Sequence, residues 1–289
     1  MSRPFAQVDV FTAEPYRGNP VAVVLEAEGL DTDEMQRIAR WTNLSETTFV
    51  LPPTRPDADY RVRIFTPGAE LPFAGHPTIG TCHAWLEAGG RPAASDRIVQ
   101  ECGVGPVVVR RDGVRLAFVA PPLRRSGPVD EETLADVCRV LRIERDAIVD
   151  AAWADNGPPW VAVLLPGAAD VLALTPDFTA VDAYDIGVVG PHPVGVVGPT
   201  GAPAGVGPAV EVRAFFRAGG VAAEDPVTGS LNAAMAPWLI ERGVVTAPYV
   251  AAQGSALGRA GRVHVDRVDD EILVGGEAVT CITGTISSP

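Results

Sequence analysis

The chain has 289 residues, 47% of them hydrophobic and 20% charged, a composition of a folded protein rather than a disordered one, and its length predicts two domains of roughly 100–150 residues each. A net charge of −13 argues against nucleic acid as a partner, and no apolar run of about 18 residues is present to predict a membrane span. All 23 basic residues are arginines, so Schiff-base chemistry on a lysine amine, pyridoxal phosphate chemistry included, is excluded.

The segment Met1–Asp9 lacks the apolar stretch of a secretory signal and passes straight into strand-like alternation, so a cytoplasmic location is expected. Strands are predicted over Gln7–Thr12 and Val21–Leu25. A helix follows over Asp31–Trp41, with Asp33 and Glu34 in its first turn and Met35, Ile38 and Ala39 at helical spacing. Strands Thr47–Leu51 and Tyr60–Thr66 come next. The small, apolar segment opened by Gly75-His76-Pro77 then predicts a buried helix that ends at Gly89, with Pro77 at its first position. Strands Val107–Arg111 and Arg115–Val119 precede a helix over Asp130–Leu141, whose Leu134, Val137, Cys138 and Leu141 share a face. Beyond strand Val161–Leu165, the Gly/Pro/Val-rich Val188–Gly207 predicts a strand running into a surface loop. Strand Val210–Phe216 leads to a second small-residue helix, capped by Ser230 and kinked or shortened at Pro237. Strands Arg262–Arg267 and Glu271–Gly275 close the pattern. The four cysteines (Cys82, Cys102, Cys138, Cys281) form no CxxC pair and the histidines have no ligand spacing, so neither disulfides nor a metal site are expected. No G-x-G-x-x-G after a strand and no G-x-x-x-x-G-K-[ST] occurs, which removes both nucleotide fingerprints.

The chain also echoes itself. Arg63-Ile64-Phe65 precedes Phe73-Ala74-Gly75-His76-Pro77, and Arg213-Ala214-Phe215 precedes Asp225-Pro226-Val227-Thr228-Gly229-Ser230. Thirteen positions separate His76 from Gly89 and, again, Ser230 from Gly243. Each unit reads as strand, glycine turn and buried helix, which supports two similar half-molecules. Two helix N-termini facing one cleft would suit a small carboxylate-bearing ligand, since both offer free amides and a positive dipole end. Two ordinary capped helices that match by chance give the same pattern. By spacing alone His76 is a lone histidine, Asp225 a turn residue and Glu46 a carboxylate at a strand start. Residue chemistry by itself therefore stops at a two-domain α/β protein with an anion cleft.

Several motifs go further: Asp9-Val10-Phe11-Thr12, Gly18-Asn19-Pro20-Val21-Ala22-Val23, Asn43-Leu44-Ser45-Glu46-Thr47-Thr48-Phe49, Phe73-Ala74-Gly75-His76-Pro77-Thr78-Ile79-Gly80 and Glu224-Asp225-Pro226-Val227-Thr228-Gly229-Ser230. With the weaker Gln253-Gly254, Gly258-Arg259 and Val274-Gly275-Gly276, they run in order over nearly the whole chain. In this the sequence resembles the phenazine-biosynthesis PhzF-like isomerases.

The resemblance implies an α/β (α+β) fold of the diaminopimelate-epimerase-like kind: two pseudo-symmetric domains, each a curved mixed sheet around a central helix. The expected domains are 1–120, completed by a C-terminal strand within 276–289, and 121–275. It further implies a homodimer and a proton-moving glutamate, which by motif is Glu46. His76 and Asp225 match the family's other catalytic positions; Gly75, Gly229, Ser230 and Asn19 match substrate-binding ones. Epimerases of this fold use two cysteines at the helix starts. Here the first position is Ala74 and the second falls within Asp225–Thr228, so a two-thiol mechanism is disfavoured. Two departures bear on substrate choice: Ala260-Gly261 stands where family members often have Pro-Ser, and Phe216–Gly220 replaces a Pro/Gly-containing loop.

The expected function is cofactor-independent isomerisation of a small anionic metabolite by acid/base proton transfer, with no metal. The alternatives are an amino-acid epimerase or racemase on the same fold, and a non-catalytic small-molecule-binding homologue.

Overall fold

The structure, a computed structural model, describes residues 2–177, 179, 184–193, 207–218 and 221–287. The chain divides into two units, Met1–Val119 with Gly275–Pro289, and Ala120–Val274. It belongs to the mixed α+β class, with a curved sheet and few helices.

In the first unit the elements are β1 (Ser2–Val10), β2 (Asn19–Val24), α1 (Thr32–Thr42), β3 (Glu46–Leu51), β4 (Tyr60–Phe65), β5 (Glu70–Leu71), α2 (Gly75–Glu87), β6 (Arg97–Cys102), β7 (Gly105–Asp112) and β8 (Arg115–Val119). The C-terminal strand Ala278–Ser287 pairs antiparallel with β1. From β1 the sheet continues antiparallel to β2, parallel to β3 and antiparallel to β4. One end of β4 carries the short β5, and the other pairs parallel with β6. α1 starts where expected because Asp31 forms a capping box with Glu34, and Met35, Ile38 and Ala39 bury against Phe49, Leu51 and Phe65. Full burial of a side chain the size of Met35, Ile38 or Phe49 contributes roughly 1.5–3 kcal/mol.

α2 is different in kind. Every residue from Gly75 to Cys82 is buried, and the helix packs against β1, β2, β3, β6, β7, β8 and the C-terminal strand. This enclosed first part has no solvent face, hence its small-residue composition, while Glu87 in the last turn reaches solvent.

The second unit contains β9 (Arg125–Pro128), α3 (Glu131–Leu141), β10 (Asp150–Asp155), β11 (Pro159–Leu164), α4 (Ala168–Ala173), β12 (Asp185–Pro191), β13 (Val210–Ala218), β14 (Val221–Asp225), α5 (Gly229–Glu241), β15 (Tyr249–Gln253), β16 (Gly261–Val268) and β17 (Glu271–Gly276). α3, capped by Asp130, packs Leu134, Val137 and Leu141 on Val161, Val163, Ile186 and Phe215. α5 is buried along most of its length and packs on β10, β11 and β16.

The echo seen in the sequence extends to strand register. β11 and β12 pair parallel, as β2 and β3 do; β13 carries a short hairpin strand at one end and a parallel partner at the other, as β4 does. Thr47 lies opposite Phe65 and Ile186 opposite Phe215, which equates Glu46 with Asp185. The same alignment repeats a bidentate ion pair across each hairpin. Arg63 grips Glu70 at 2.7 and 2.6 Å, and Arg213 grips Glu224 at 2.9 and 2.7 Å. Chance similarity does not reproduce register and ion pair together.

Three local expectations are corrected. α5 begins at Gly229 with Thr228 as N-cap, so Ser230 lies inside the first turn rather than capping it. Pro77 is the third residue of α2, not the first, because the helix opens two residues earlier at Gly75. Pro237 neither ends nor shortens α5, which runs on to Glu241 with Met235, Ala236 and Leu239 buried around it. Of the predicted strand and loop over Val188–Gly207, the strand is β12, while residues 194–206 lie outside the described residues, as do residues 219–220 of the Phe216–Gly220 stretch.

Candidate active site

The candidate residues fall into two groups, one at the start of each central helix. In the first unit Glu46 opens β3, opposite Val21 of β2. Alternation places Glu46 on the face of Thr48, whose hydroxyl accepts a 2.8 Å hydrogen bond from Thr81 of α2. That face looks onto the helix, where His76 in the first turn brings Nε2 to 3.3 Å from Glu46 Oε2. Both side chains are largely withdrawn from solvent, at 8% and 15% exposure.

His76 donates its remaining ring proton to the Pro20 carbonyl, which assigns that proton to Nδ1. Burial outweighs this bond and pushes its pKa down to about 3, so the ring is neutral near pH 7. A neutral ring with its proton on Nδ1 presents a lone pair at Nε2. A hydrogen bond across the 3.3 Å contact would take its proton from the carboxyl, and the distance is slightly longer than a formed hydrogen bond.

The preceding turn supports this arrangement. Asp9, buried in β1, accepts the Gly18 N–H at 2.9 Å and so fixes the turn that delivers Asn19 and Pro20. Asn19 is itself fully buried at the start of β2. At the start of α2, a Cβ on Gly75 would stand 2.6 Å from Cζ of Phe118, so the helix approaches that ring as only glycine allows. The N-cap, Ala74, has no side-chain hydrogen bond to offer, which leaves the first-turn amides without a side-chain cap.

In the second unit Asp225 closes β14 opposite Ala214. Its Oδ2 accepts a 2.6 Å hydrogen bond from the Thr228 hydroxyl. Thr228 in turn meets Gln253 of β15 through both its amide and its hydroxyl, at 3.0 and 2.8 Å. Ser230 is tied to β11, accepting the Trp160 indole N–H at 3.3 Å, and its carbonyl accepts from Asn156 at 3.0 Å. Gly229 is the first, buried residue of α5, and here too no side chain caps the helix.

The structure thus gathers Glu46, His76 and Gly75 at one helix start and Asp225, Gly229 and Ser230 at the other, while Asn19 lies buried beside Pro20. Sequence reasoning did not single out the Pro20 carbonyl, Thr228, Gln253 or Asn232. Pro20, Thr228 and Gln253 lie within the quoted motifs, but nothing in the motifs marked their hydrogen-bonding roles, and Asn232 lies in none. Cys82 is buried in α2 with its thiol pushed up to about 12 by burial, and Cys102 is raised for the same reason. Neither is a thiolate at neutral pH. A cavity of about 470 Å³ lined by Arg3, Val50, Pro52, Asp59 and Trp85 sits at the far end of β3 from Glu46 and takes in none of the candidate residues. Among the described residues no three His, Cys, Asp or Glu side chains cluster as metal ligands, and no helix is long and apolar enough to cross a membrane.

Comparison with known proteins bears on this arrangement. The profile of the phenazine biosynthesis-like protein family, PhzC-PhzF, matches residues 8–284. A Schizosaccharomyces pombe protein named "Antisense-enhancing sequence 1" is 37% identical over 300 residues, covering 97% of each chain. The trans-2,3-dihydro-3-hydroxyanthranilate isomerase of Pseudomonas aeruginosa is 36% identical over 270 residues, covering 90% of this chain and 88% of that one. Among solved structures, a phenazine biosynthesis PhzF-family protein from Enterococcus faecalis superposes with a TM-score of 0.79 at 26% identity, covering 99% of this chain and 100% of its own.

Proposed function

This chain belongs to the phenazine biosynthesis-like PhzC-PhzF family and is an isomerase of that family; from that premise we propose that it moves a proton between carbons of a small anionic metabolite, with Glu46 taking and returning the proton. The observation that carries this reading is the 3.3 Å contact between Glu46 and His76. A group that accepts a proton from one carbon and delivers it to another must be comfortable both ionised and protonated. Neutral His76 accepts a hydrogen bond from the protonated carboxyl. His76 therefore partners the protonated state of Glu46, the state reached once the proton has left the substrate carbon.

We assign Asp225 to the substrate's second proton or to its polar groups. Ser230, Asn19 and the first-turn amides at Gly75 and Gly229 are assigned to holding the substrate carboxylate, for which an uncapped helix start is well suited. Such a transfer requires no cofactor or metal. The substrate class proposed is that of the Pseudomonas aeruginosa relative: small, anionic, and cyclic or unsaturated. The same reading takes the protein as cytoplasmic and as a homodimer; light scattering on the purified chain checks the dimer.

The test is stereochemical. The enzyme is incubated with trans-2,3-dihydro-3-hydroxyanthranilate and, separately, with cyclic amino acids, and products are read by NMR. A migrated double bond is expected. An inverted stereocentre with every double bond in place would make the protein an epimerase instead.

A further inference from the structure

Thr228 is the N-cap of α5, yet its hydroxyl does not cap the helix. Threonine at this position ordinarily accepts a backbone N–H from the first turn. Here the hydroxyl is committed elsewhere, and its surroundings fix which way its proton points.

The direction follows from Gln253. Two donors converge on its Oε1, the Thr228 N–H and the Asn232 Nδ2, each at 3.0 Å. An NH2 group at that end would face both donors, so the amide orientation is settled. The opposite end, Nε2, then donates to the Thr228 hydroxyl at 2.8 Å and to the Asp225 carbonyl at 3.2 Å. Asn232 is oriented in the same way, because its Nδ2 also reaches the Thr228 carbonyl at 2.9 Å. A hydroxyl has one proton. With a donor already on its oxygen, Thr228 must send that proton to Asp225 Oδ2, 2.6 Å away, a distance typical of a hydroxyl bound to a carboxylate. Thr228 is 6% exposed and Asn232 and Gln253 are fully buried, so little water competes for these bonds.

We propose that Gln253 and Thr228 form a directional hydrogen-bond relay that holds the Asp225 carboxylate in one rotamer as an acceptor, making both of them positioning residues for the isomerisation. This rests on Asp225 belonging to the reaction site. The network is anchored on main-chain groups at both ends of the Asp225–Thr228 turn, so its geometry is set by folding rather than by substrate. A carboxylate fixed in advance meets substrate without reorganising, and a displacement of about 1 Å can cost a hundredfold in rate.

Thr228→Val removes the hydroxyl at nearly constant shape, and Thr228→Ser retains it. With trans-2,3-dihydro-3-hydroxyanthranilate as the probe, Thr228→Val is expected to lower kcat about tenfold or more with KM within about twofold, and Thr228→Ser to stay near wild type. In crystal structures Asp225 should leave its rotamer in the Val variant and keep it in the Ser variant. That readout is independent of turnover. Should the Val variant not fold, Gln253→Met keeps the hydroxyl while removing the amide that orients it, and is expected to displace Asp225 in the same way. An unmoved Asp225 in whichever of these two variants folds, or equal losses for Val and Ser, would overturn the relay. Full activity in Asp225→Asn would overturn the role of Asp225 itself. An inactive Asp225→Asn beside an unaffected Thr228→Val would overturn the relay alone.

Discussion

His76 turns Nε2 to within 3.3 Å of Glu46 Oε2 while its other ring nitrogen is held by the Pro20 carbonyl. The histidine can therefore neither rotate away nor change tautomer without losing a buried hydrogen bond. This makes it a fixed acceptor for the proton that Glu46 carries. Replacing His76 with Gln leaves a polar side chain of similar reach without the ring's fixed lone pair. We expect kcat to fall about a hundredfold with KM changed only a few-fold, the usual cost of losing an acid/base partner. Steady-state kinetics decide this, and a wild-type kcat would reduce His76 to a packing residue.

The same burial has a consequence for stability. His76 titrates near pH 3 in the folded chain against 6.5 for an unperturbed histidine. Between those values the unfolded chain binds a proton that the folded chain refuses. Stability from this group is therefore fully present above about pH 6.5 and declines as pH falls towards 3, by at most about 1.4 kcal/mol per pH unit. Urea midpoints measured from pH 7 to 4 should fall less steeply for His76→Gln than for wild type. Parallel slopes would contradict the assignment.

Gly75 supplies a stability prediction of opposite sign to the usual helix rule. An alanine in a helix normally stabilises relative to glycine. Here the added Cβ would meet Phe118, which is fully buried and held edge-on by Phe73 at 5.6 Å, so the ring has little room to yield. Gly75→Ala should destabilise by about 1–3 kcal/mol, as overpacking does, and thermal or urea unfolding reads it directly. An unchanged or raised midpoint would show that the ring can move.

The cysteines provide a check on mechanism. Cys82 is buried with its thiol pushed up to about 12, and burial raises Cys102 and Cys138 as well, but Cys138 and Cys281 are only part-buried. Iodoacetamide at pH 7.5 should label Cys138 and Cys281 first and leave turnover intact. Activity lost in step with modification of Cys82 or Cys102, followed by peptide mass mapping, would restore a thiol mechanism.

What the sequence made legible follows from what each element must satisfy locally. α1 and α3 carry their caps and apolar stripes in their own residues, Asp31 with Glu34 and Asp130 with Leu134, Val137 and Leu141, and were placed to within a residue. α2 and α5 have no stripe because strands or buried contacts surround them, and only their repeat spacing exposed them. The C-terminal strand exists through pairing with distant β1, and β10 and β15 through pairing with β11 and β16; the alanine-rich Asp150–Asp155 and the short Tyr249–Gln253 carry no strand pattern of their own. The site divides in the same way. Glu46, His76 and Asp225 carry recognisable chemistry within ordered motifs, whereas the Pro20 carbonyl, Thr228 and Gln253, though in motifs too, and Asn232 act through tertiary hydrogen bonds that no motif displays. Ser230 was read as the cap because it looks like one; the true cap spends its hydroxyl on Asp225.

The central claim is that Glu46 carries the proton. The most direct measurement is solvent deuterium incorporation into trans-2,3-dihydro-3-hydroxyanthranilate or its isomer in D2O, comparing wild type with Glu46→Gln and confirming ligand binding to both by calorimetry. Wild type should label a carbon, and the Gln variant should bind without labelling. A Gln variant that labels as fast as wild type would contradict the claim.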